Sequence, residues 1–383
     1  MKGEEVSEKR RNNFDLIRLL AALQVACAHM LFFFGSHPSS AIKSSVVSLL
    51  EAFPGVPIFF TISGFLIYAS VENSQGRMAN YWRARALRIY PALWVCAIGG
   101  TIMLWLLGYF SGVAVSKIIF WFMTTVVAGG ASLNPDFLRR VPTRVWDGSL
   151  WTIAVELSFY LVLPLIFFAA RYLKNRRGLI LCAATLASFG TFIYFDGLNW
   201  GDTRNAPILT KVVWFSLLGN LWMFMLGSIA RHYWRILHPL LVDKLPFWGI
   251  SYLAAVLLLN QITVERGYDF WLCAAVLLSK RLILALTVLS AAYSYRSASW
   301  KFLRGQDISY GLYLYHCVIY NVLLHFHHDS VEAGFVGLAT AIGLAWLSWI
   351  LVEQPFLRLK KSPRSKPIEL GDSRLTIPSA SSG

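Results

Sequence analysis

The first apolar stretch of the chain carries a guanidinium and an imidazole at a spacing that suits joint chemistry. Arg18 and His29 are eleven residues apart. On a helix this spacing returns to within about 20° of the same face, three turns farther along. Ala22 and Ala26 lie near that face, and Asp15 lies about 60° from it. Imidazole suits proton transfer near neutral pH, and guanidinium binds phosphate or amide groups through several donors. The pair predicts that His29 acts as general base and that Arg18 holds part of a thin ligand lying on the alanines.

A carboxylate in a later apolar stretch could take part in the same chemistry. Glu156 is one helical turn before Tyr160. We predict that Glu156 contacts an arginine or histidine in a shared cavity and changes its affinity for protons, which makes it a third catalytic candidate. The structural alternative is a buried ion pair.

A polar aromatic stripe is predicted near the end of the chain. Tyr313, His316 and Tyr320 share one helix face by their three- and four-residue spacings. Such a face could contact a carbohydrate or other substrate, or it could pack against another helix. We keep the three residues as substrate-binding candidates.

Two arginines one turn apart, Arg85 and Arg88, are candidates for binding the phosphates of a donor molecule. Anchoring at a membrane surface explains them equally well. No metal is expected, because His325, His328 and Asp329 have a suitable spacing but histidines at an interface need no ion. The cysteines are expected to be small core residues and are Cys27, Cys96, Cys182, Cys273 and Cys317.

The composition excludes a soluble protein. Of 383 residues, 56% are hydrophobic and 14% are charged, whereas about a quarter of the residues in a soluble domain are charged. The net charge of +15 is spread between apolar stretches rather than collected on one face, so nucleic acid is not an expected partner. The lipid bilayer is therefore the expected environment, and the fold class is all-α and polytopic.

About ten apolar stretches are long enough to cross a membrane as helices. They are residues 14–34, 44–70, 90–110, 149–172, 178–195, 211–231, 246–260, 268–295, 309–325 and 334–356. Residues 118–127 form a shorter stretch that we predict to be interfacial or re-entrant. The first stretch shows no small-residue cleavage pattern and is expected to remain as a helix.

Lysine and arginine concentrate in alternate loops, which predicts that both termini are cytoplasmic. Three regions are expected: a cytoplasmic segment at 1–13, a membrane domain at 14–358 and a disordered cytoplasmic tail at 359–383. Ionisable groups inside a membrane are costly, so Arg18, His29 and Glu156 are expected to be functional. The alternatives are that Arg18 extends to the interface and that His29 packs against a neighbouring helix.

Several motifs appear in an order that resembles acyltransferase family 3, whose members are polytopic membrane O-acyltransferases. The matching segments are Phe14-Asp15-x-x-Arg18 leading to His29, and residues 59–67, 85–91, 149–160, 313–316 and 353–356. Leu157 and Ser158 replace a more usual polar pair after Glu156. We expect no fused extracytoplasmic domain of the kind that many relatives carry.

The resemblance implies an enzyme that moves an acyl group, by default acetyl, from acyl-coenzyme A to a hydroxyl of a surface glycan, lipid-linked sugar or related compound. It implies an essential role for His29 and Arg18, no permanently bound cofactor and a location in a bacterial inner membrane. The rival hypothesis is a secondary transporter whose Arg, His and Glu form an intramembrane relay.

Overall fold

The apolar stretches of the sequence form helices, as their length and hydropathy predict. The computed structural model describes residues 12–34, 41–74, 78–130, 135–172, 176–197, 206–265 and 270–359, and this part of the chain contains no strand. The all-α fold is thereby confirmed. The helices are α1 Phe14–Phe34, α2 Ala41–Ala52, α3 Gly55–Asn73, α4 Met78–Leu106, α5 Val115–Ala128, α6 Leu150–Tyr172, α7 Arg177–Gly197, α8 Ile208–Trp214, α9 Leu217–His232, α10 Trp234–Leu241, α11 Leu245–Glu265, α12 Phe270–Tyr293, α13 Ala298–Leu303, α14 Ser309–His325, α15 Val331–Ser348 and α16 Gln354–Arg358.

Eight helical segments in the described residues are long and apolar enough to cross a membrane, which makes this a multi-pass membrane protein. A ninth is obtained if α10 and the first part of α11, which meet at an angle of 91°, are counted as one broken span. Helix α14 has 17 residues, the lower end of the usual range for a membrane span. The count of ten requires both additions, so that count and the cytoplasmic termini stay predictions.

Three boundaries differ from the sequence-based spans. The stretch 44–70 is two helices, because Pro54 interrupts it and precedes α3 with an extended backbone. The stretch 211–231 is likewise divided between α8 and α9. Helix α4 begins at Met78, twelve residues before the predicted start of that span. Residues 1–11 and 360–383 lie outside the described residues, so the predicted disordered tail remains a prediction.

Helices α3 and α9 cross closely through glycine. A Cβ added at Gly64 would overlap the carbonyl oxygen of Phe224, and one added at Gly227 would overlap the carbonyl oxygen of Thr61. Glycines that let two helices approach closely are common in membrane proteins. The contact fixes the neighbouring Ser63 where it faces α6.

Helix α1 packs against α14 and α15 through the same alanines that the sequence assigned to a ligand. Ala22 and Ala26 are both fully buried and contact Leu312, Ala341 and Ala345. The predicted ligand groove along these alanines is therefore wrong. Small side chains here allow three helices to approach closely, which leaves no space for a thin molecule.

Candidate active site

A cavity of about 410 Å³ opens between α1, α3, α4, α6 and α14. This volume is within the usual range for small-molecule sites. Its polar lining includes Arg18, Ser63, Arg85, Arg88, Glu156 and Tyr313. Five helices therefore bring together side chains that the sequence separates by nearly three hundred residues.

Two of the cavity arginines share one buried carboxylate. Asp307, just before α14, accepts a hydrogen bond from Nη2 of Arg88 at 2.6 Å, and its Oδ2 lies 3.8 Å from Nη1 of Arg18. Arg18 also contacts Asp15 at 3.3 Å. Burial alone would raise the pKa of Asp307, but Arg88, Arg18 and a hydrogen bond from Ser309 lower that pKa below its usual value. Asp307 is therefore an ionised anchor for both guanidinium groups.

The third cavity arginine, Arg85, has a different environment. No carboxylate of the described residues lies within ion-pair distance of its guanidinium. The guanidinium lies 5.9 Å from the ring centre of Tyr81 and 5.7 Å from that of Tyr160. Its Nε is buried and has no hydrogen-bond partner in the part of the chain that the structure describes. Arg85 is thus the cavity arginine whose charge is most available to an anionic ligand.

Glu156 bonds to hydroxyl groups. Its Oε1 accepts hydrogen bonds from Oγ of Ser63 at 2.8 Å and from the Tyr160 hydroxyl at 2.7 Å. The predicted contact with an arginine or histidine is not made among the described residues. These hydroxyls, rather than the side chain of Ser158, support the carboxylate, because Ser158 donates to the carbonyl oxygen of Ala154 in its own helix.

The opposite end of the cavity is formed by Tyr313. Its hydroxyl shares a hydrogen bond of 2.8 Å with Oγ1 of Thr152, and its ring contacts Phe59 at 5.5 Å between centres. The ring centre of His316 is 6.1 Å from that of Tyr313. Tyr313 therefore touches both the cavity and the side chains behind it.

Behind Tyr313, α1 and α14 bring two histidines together. Nδ1 of His29 lies 2.9 Å from Nε2 of His316. We call these two residues the histidine pair. Sγ of Cys317 lies 3.4 Å from the first nitrogen and 3.3 Å from the second. All three ligand-type atoms fall within 4.8 Å of one another, a spacing that a metal ion could use.

The predicted site residues are thus divided between two places. Arg18 lines the cavity, but His29 is not among the residues that line it. Of the predicted substrate-binding face, Tyr313 lines the cavity and His316 bonds to His29. Tyr320 is fully buried, and its hydroxyl donates to the carbonyl oxygen of Ala26 at 3.1 Å, so it holds α14 against α1.

Beyond the histidine pair lies a second buried carboxyl group. Asp147, in the loop before α6, accepts hydrogen bonds from the amide and hydroxyl of Ser149 at 2.9 and 2.6 Å. Burial raises the pKa of Asp147 to about 7, against the lowering effect of the hydrogen bonds from Ser149 and Cys96. The group titrates near neutral pH. The histidine considered earlier as a metal ligand, His325, instead bonds to the Tyr109 hydroxyl at 2.7 Å.

Sequence reasoning missed three residues of this region, Asp307, Asp147 and Cys317. A signal existed for the two aspartates, since each precedes a helix by a few residues and is followed two positions later by a serine, as in a capping sequence. No local signal existed for Cys317. Its position beside His29 depends on the packing of α1 against α14, helices that are separated by most of the chain.

Known proteins are similar to this chain over most of its length. The family model described as "Acyltransferase domain" matches residues 11–351. "Nodulation protein 10" of Rhizobium leguminosarum bv. viciae is 32% identical over 377 residues, which is 94% of this chain and 97% of that protein. "Putative peptidoglycan O-acetyltransferase YrhL" of Bacillus subtilis (strain 168) is 23% identical over 79% of this chain and 47% of its own length.

A third similar protein is "Putative O-acetyltransferase SACOL0978" of Staphylococcus aureus (strain COL), 23% identical over 80% of this chain and 53% of that protein. The chain therefore spans about half the length of the Bacillus and Staphylococcus proteins and nearly all of the Rhizobium protein. No solved structure matches the chain significantly.

Proposed function

The chain belongs to the acyltransferase domain family, and from that membership we propose that it moves an acyl group, acetyl by default, from acyl-coenzyme A to a hydroxyl. A surface glycan, a lipid-linked sugar or a related compound is the proposed acceptor. Two similar proteins carry names that describe O-acetyltransferases, one of them for peptidoglycan. Because coenzyme A thioesters are cytoplasmic and the three similar proteins are bacterial, a bacterial inner membrane is the proposed location.

The observation that carries the proposal is a cavity with cationic side chains at one end and an imidazole pair just behind the other. Arg18, Arg85 and Arg88 supply the cations, and Tyr313 connects the cavity to the histidine pair. A coenzyme A thioester has phosphates at one end and a reactive carbonyl at the other. The donor would therefore bind with its phosphates at the arginines and its thioester carbonyl toward the histidine pair.

Arg85 is the proposed main ligand for a donor phosphate. Arg18 and Arg88 already share Asp307, so part of their charge is neutralised. Among the residues that the structure describes, Arg85 has neither an ion-pair partner nor a hydrogen bond at Nε. We assign Arg18 and Arg88 to the weaker contacts with the donor and to the shape of the entrance, and Arg85 to the phosphate itself.

Glu156 is proposed to orient the bound substrates. Its Oε1 is occupied by Ser63 and Tyr160, whereas its Oε2 makes no hydrogen bond in the described part of the chain. A carboxylate oxygen with a free lone pair can accept from an amide of the pantetheine arm or from the acceptor hydroxyl. This role replaces the prediction that Glu156 contacts an arginine or histidine and changes its affinity for protons.

His29 is the proposed general base. The acceptor oxygen attacks the thioester carbon while its proton moves to the imidazole. The carbon–sulfur bond then breaks, and the proton leaves with the coenzyme A thiol. One thioester and one hydroxyl are consumed, and one ester and one thiol are formed.

The experiment is transfer or slow hydrolysis of radiolabelled acetyl-coenzyme A by the purified protein in detergent. Wild type should release coenzyme A thiol, and His29→Ala should lower kcat by at least about 100-fold while remaining folded. His325→Ala is the matched control, because His325 lies at the far end of α14 and bonds to Tyr109. Equal rates for wild type and His29→Ala would remove the base assignment.

The same experiment separates the enzyme from the transporter alternative. A transporter needs two compartments to show its activity, whereas an acyltransferase breaks the thioester in a detergent solution. No thiol release by wild type with any acyl-coenzyme A, combined with proton-coupled uptake in vesicles, would favour the transporter.

A further inference from the structure

The donor and acceptor of each hydrogen bond at the histidine pair can be assigned, and the assignment indicates a role for His316. We propose that His316 is a positioning residue, which holds His29 in the tautomer whose free lone pair is on Nε2. The inference rests on the proposed function, since it concerns how His29 acts as a base. It also replaces the predicted role of His316 in binding substrate.

A backbone carbonyl determines which nitrogen of His316 carries the hydrogen. Nδ1 of His316 lies 3.0 Å from the carbonyl oxygen of Leu312, one turn earlier on α14. A carbonyl oxygen can accept a hydrogen bond but cannot donate one. Nδ1 of His316 must therefore carry a hydrogen.

The burial of His316 fixes its other nitrogen. The side chain is 0% exposed, and no carboxylate of the described residues forms an ion pair with it. A charged imidazole would be costly in this environment. A neutral imidazole carries a single N–H, so with Nδ1 protonated, Nε2 of His316 is a bare acceptor.

The tautomer of His29 follows from the contact between the rings. The two nitrogens are 2.9 Å apart, the ring centres are 5.2 Å apart, and the ring planes differ by 22°. These values require the nitrogens to lie between the ring centres, edge to edge, as in an in-plane hydrogen bond. Since Nε2 of His316 only accepts, Nδ1 of His29 donates.

The consequence is a free lone pair on the opposite side of the His29 ring. No residue that the structure describes makes a hydrogen bond to Nε2 of His29. When that nitrogen takes the proton of the acceptor hydroxyl, the positive charge is shared along the N–H···N bond toward His316 and the Leu312 carbonyl. An Asp fills this position in a Ser-His-Asp triad, where it holds the tautomer and stabilises the imidazolium.

A neutral imidazole in place of the triad carboxylate has a specific advantage inside a membrane. A buried carboxylate beside His29 would need its own counter-charge when His29 is neutral. His316 carries no charge before the reaction begins. Cys317, whose sulfur touches both nitrogens, is a weak donor and acceptor that competes little with the hydrogen bond between the rings.

The test compares two substitutions at one position. His316→Leu removes the acceptor for Nδ1 of His29, and kcat should fall at least about 100-fold while KM for acetyl-coenzyme A stays within about twofold. In His316→Gln the amide oxygen can accept the same hydrogen, and kcat should recover to within about tenfold of wild type. His325→Leu, a similar change on α14 outside the site, should have wild-type kcat.

The outcomes separate this inference from the proposed function. If His29→Ala is inactive but His316→Leu has wild-type kcat, the positioning role is wrong and the base assignment stands. If His316→Leu and His316→Gln lose activity equally, or lose donor binding together with kcat, the role is structural and the inference is overturned. Retained activity of His29→Ala overturns the proposed function itself.

A further experiment tests whether His29, His316 and Cys317 bind a metal ion instead. Treatment with a chelator should leave wild-type kcat unchanged, because Nδ1 of His29 donates a hydrogen and is not a metal ligand. Loss of activity on chelation that is restored by zinc alone would overturn the tautomer assignment.

Discussion

The arginine end of the cavity and the histidine pair are held in position by different forces. At the arginine end, Asp307 neutralises Arg18 and Arg88 through charge-assisted contacts. At the histidine pair, neutral rings are aligned by single hydrogen bonds to each other and to a backbone carbonyl. From this contrast we infer that the arginine end binds the donor and that the neutral histidine pair transfers the proton.

The largest expected effect comes from removing the shared carboxylate. Asp307→Asn keeps an oxygen for Ser309 but removes the ion-pair partner of Arg88 and one of the two acidic contacts of Arg18, so we expect a loss of about 2–4 kcal/mol of stability. Because the folded pKa of Asp307 is lowered, its contribution is present above the unfolded value near 4 and is lost as pH falls through the folded pKa. Thermal unfolding in detergent at neutral and acidic pH measures both effects.

Asp243→Asn is the control for that substitution. Asp243 forms an ion pair with Arg296 at 3.1 Å in which both side chains are about half exposed. Exposed pairs contribute between about 0 and 1 kcal/mol, so this variant should unfold close to the wild-type temperature. Equal destabilisation by the two substitutions would show that the buried ion pairs of Asp307 stabilise the fold no more than an exposed pair does.

The next effect distinguishes two arginines one turn apart. Arg85→Ala should raise KM for acetyl-coenzyme A by about tenfold or more, because it removes the charge most available to a phosphate, and should change the unfolding temperature little. Arg88→Ala should instead lower the unfolding temperature, since Asp307 loses its partner at 2.6 Å. Steady-state kinetics and thermal unfolding of both variants test these expectations. A raised KM in Arg88→Ala together with a lowered unfolding temperature in Arg85→Ala would contradict the assignment of the two arginines.

The smallest expected effect is a pH dependence beyond the histidine pair. The pKa of Asp147 is about 7 in the folded protein and near 4 in an unfolded chain. Its protonated form is therefore favoured by folding, and this stabilisation is complete below about pH 4 and lost as pH rises through about 7. The unfolding temperature of wild type should decrease more than that of Asp147→Asn between about pH 5.5 and 8. Parallel curves for the two proteins would contradict the buried position of this carboxyl.

The sequence predicted the helical membrane fold and the cavity arginines, because apolar length and intramembrane charge are local signals. It could not predict that Ala22 and Ala26 are covered, since periodicity shows which residues share a face but not which helix packs against it. For the same reason it placed Arg18 and His29 in one groove. Helix α14 instead covers the alanines between them and brings His316 to His29.

Boundaries were less predictable where proline or a short break redirects the chain. Pro54 divides a run of apolar residues that hydropathy alone treats as continuous, and the 91° bend between α10 and α11 has no counterpart in hydropathy. The contact between Glu156 and the hydroxyl of Ser63 depends on the glycine crossing of α3 and α9. A single sequence contains no record of such distant pairings.

The division between donor binding and proton transfer is tested most directly by titrating labelled acetyl-coenzyme A into purified His29→Ala protein. We predict a dissociation constant within about twofold of the wild-type value and no thiol release, and we expect the His325→Ala control to bind the donor as wild type does. Loss of donor binding in His29→Ala, or thiol release at the wild-type rate, would contradict it.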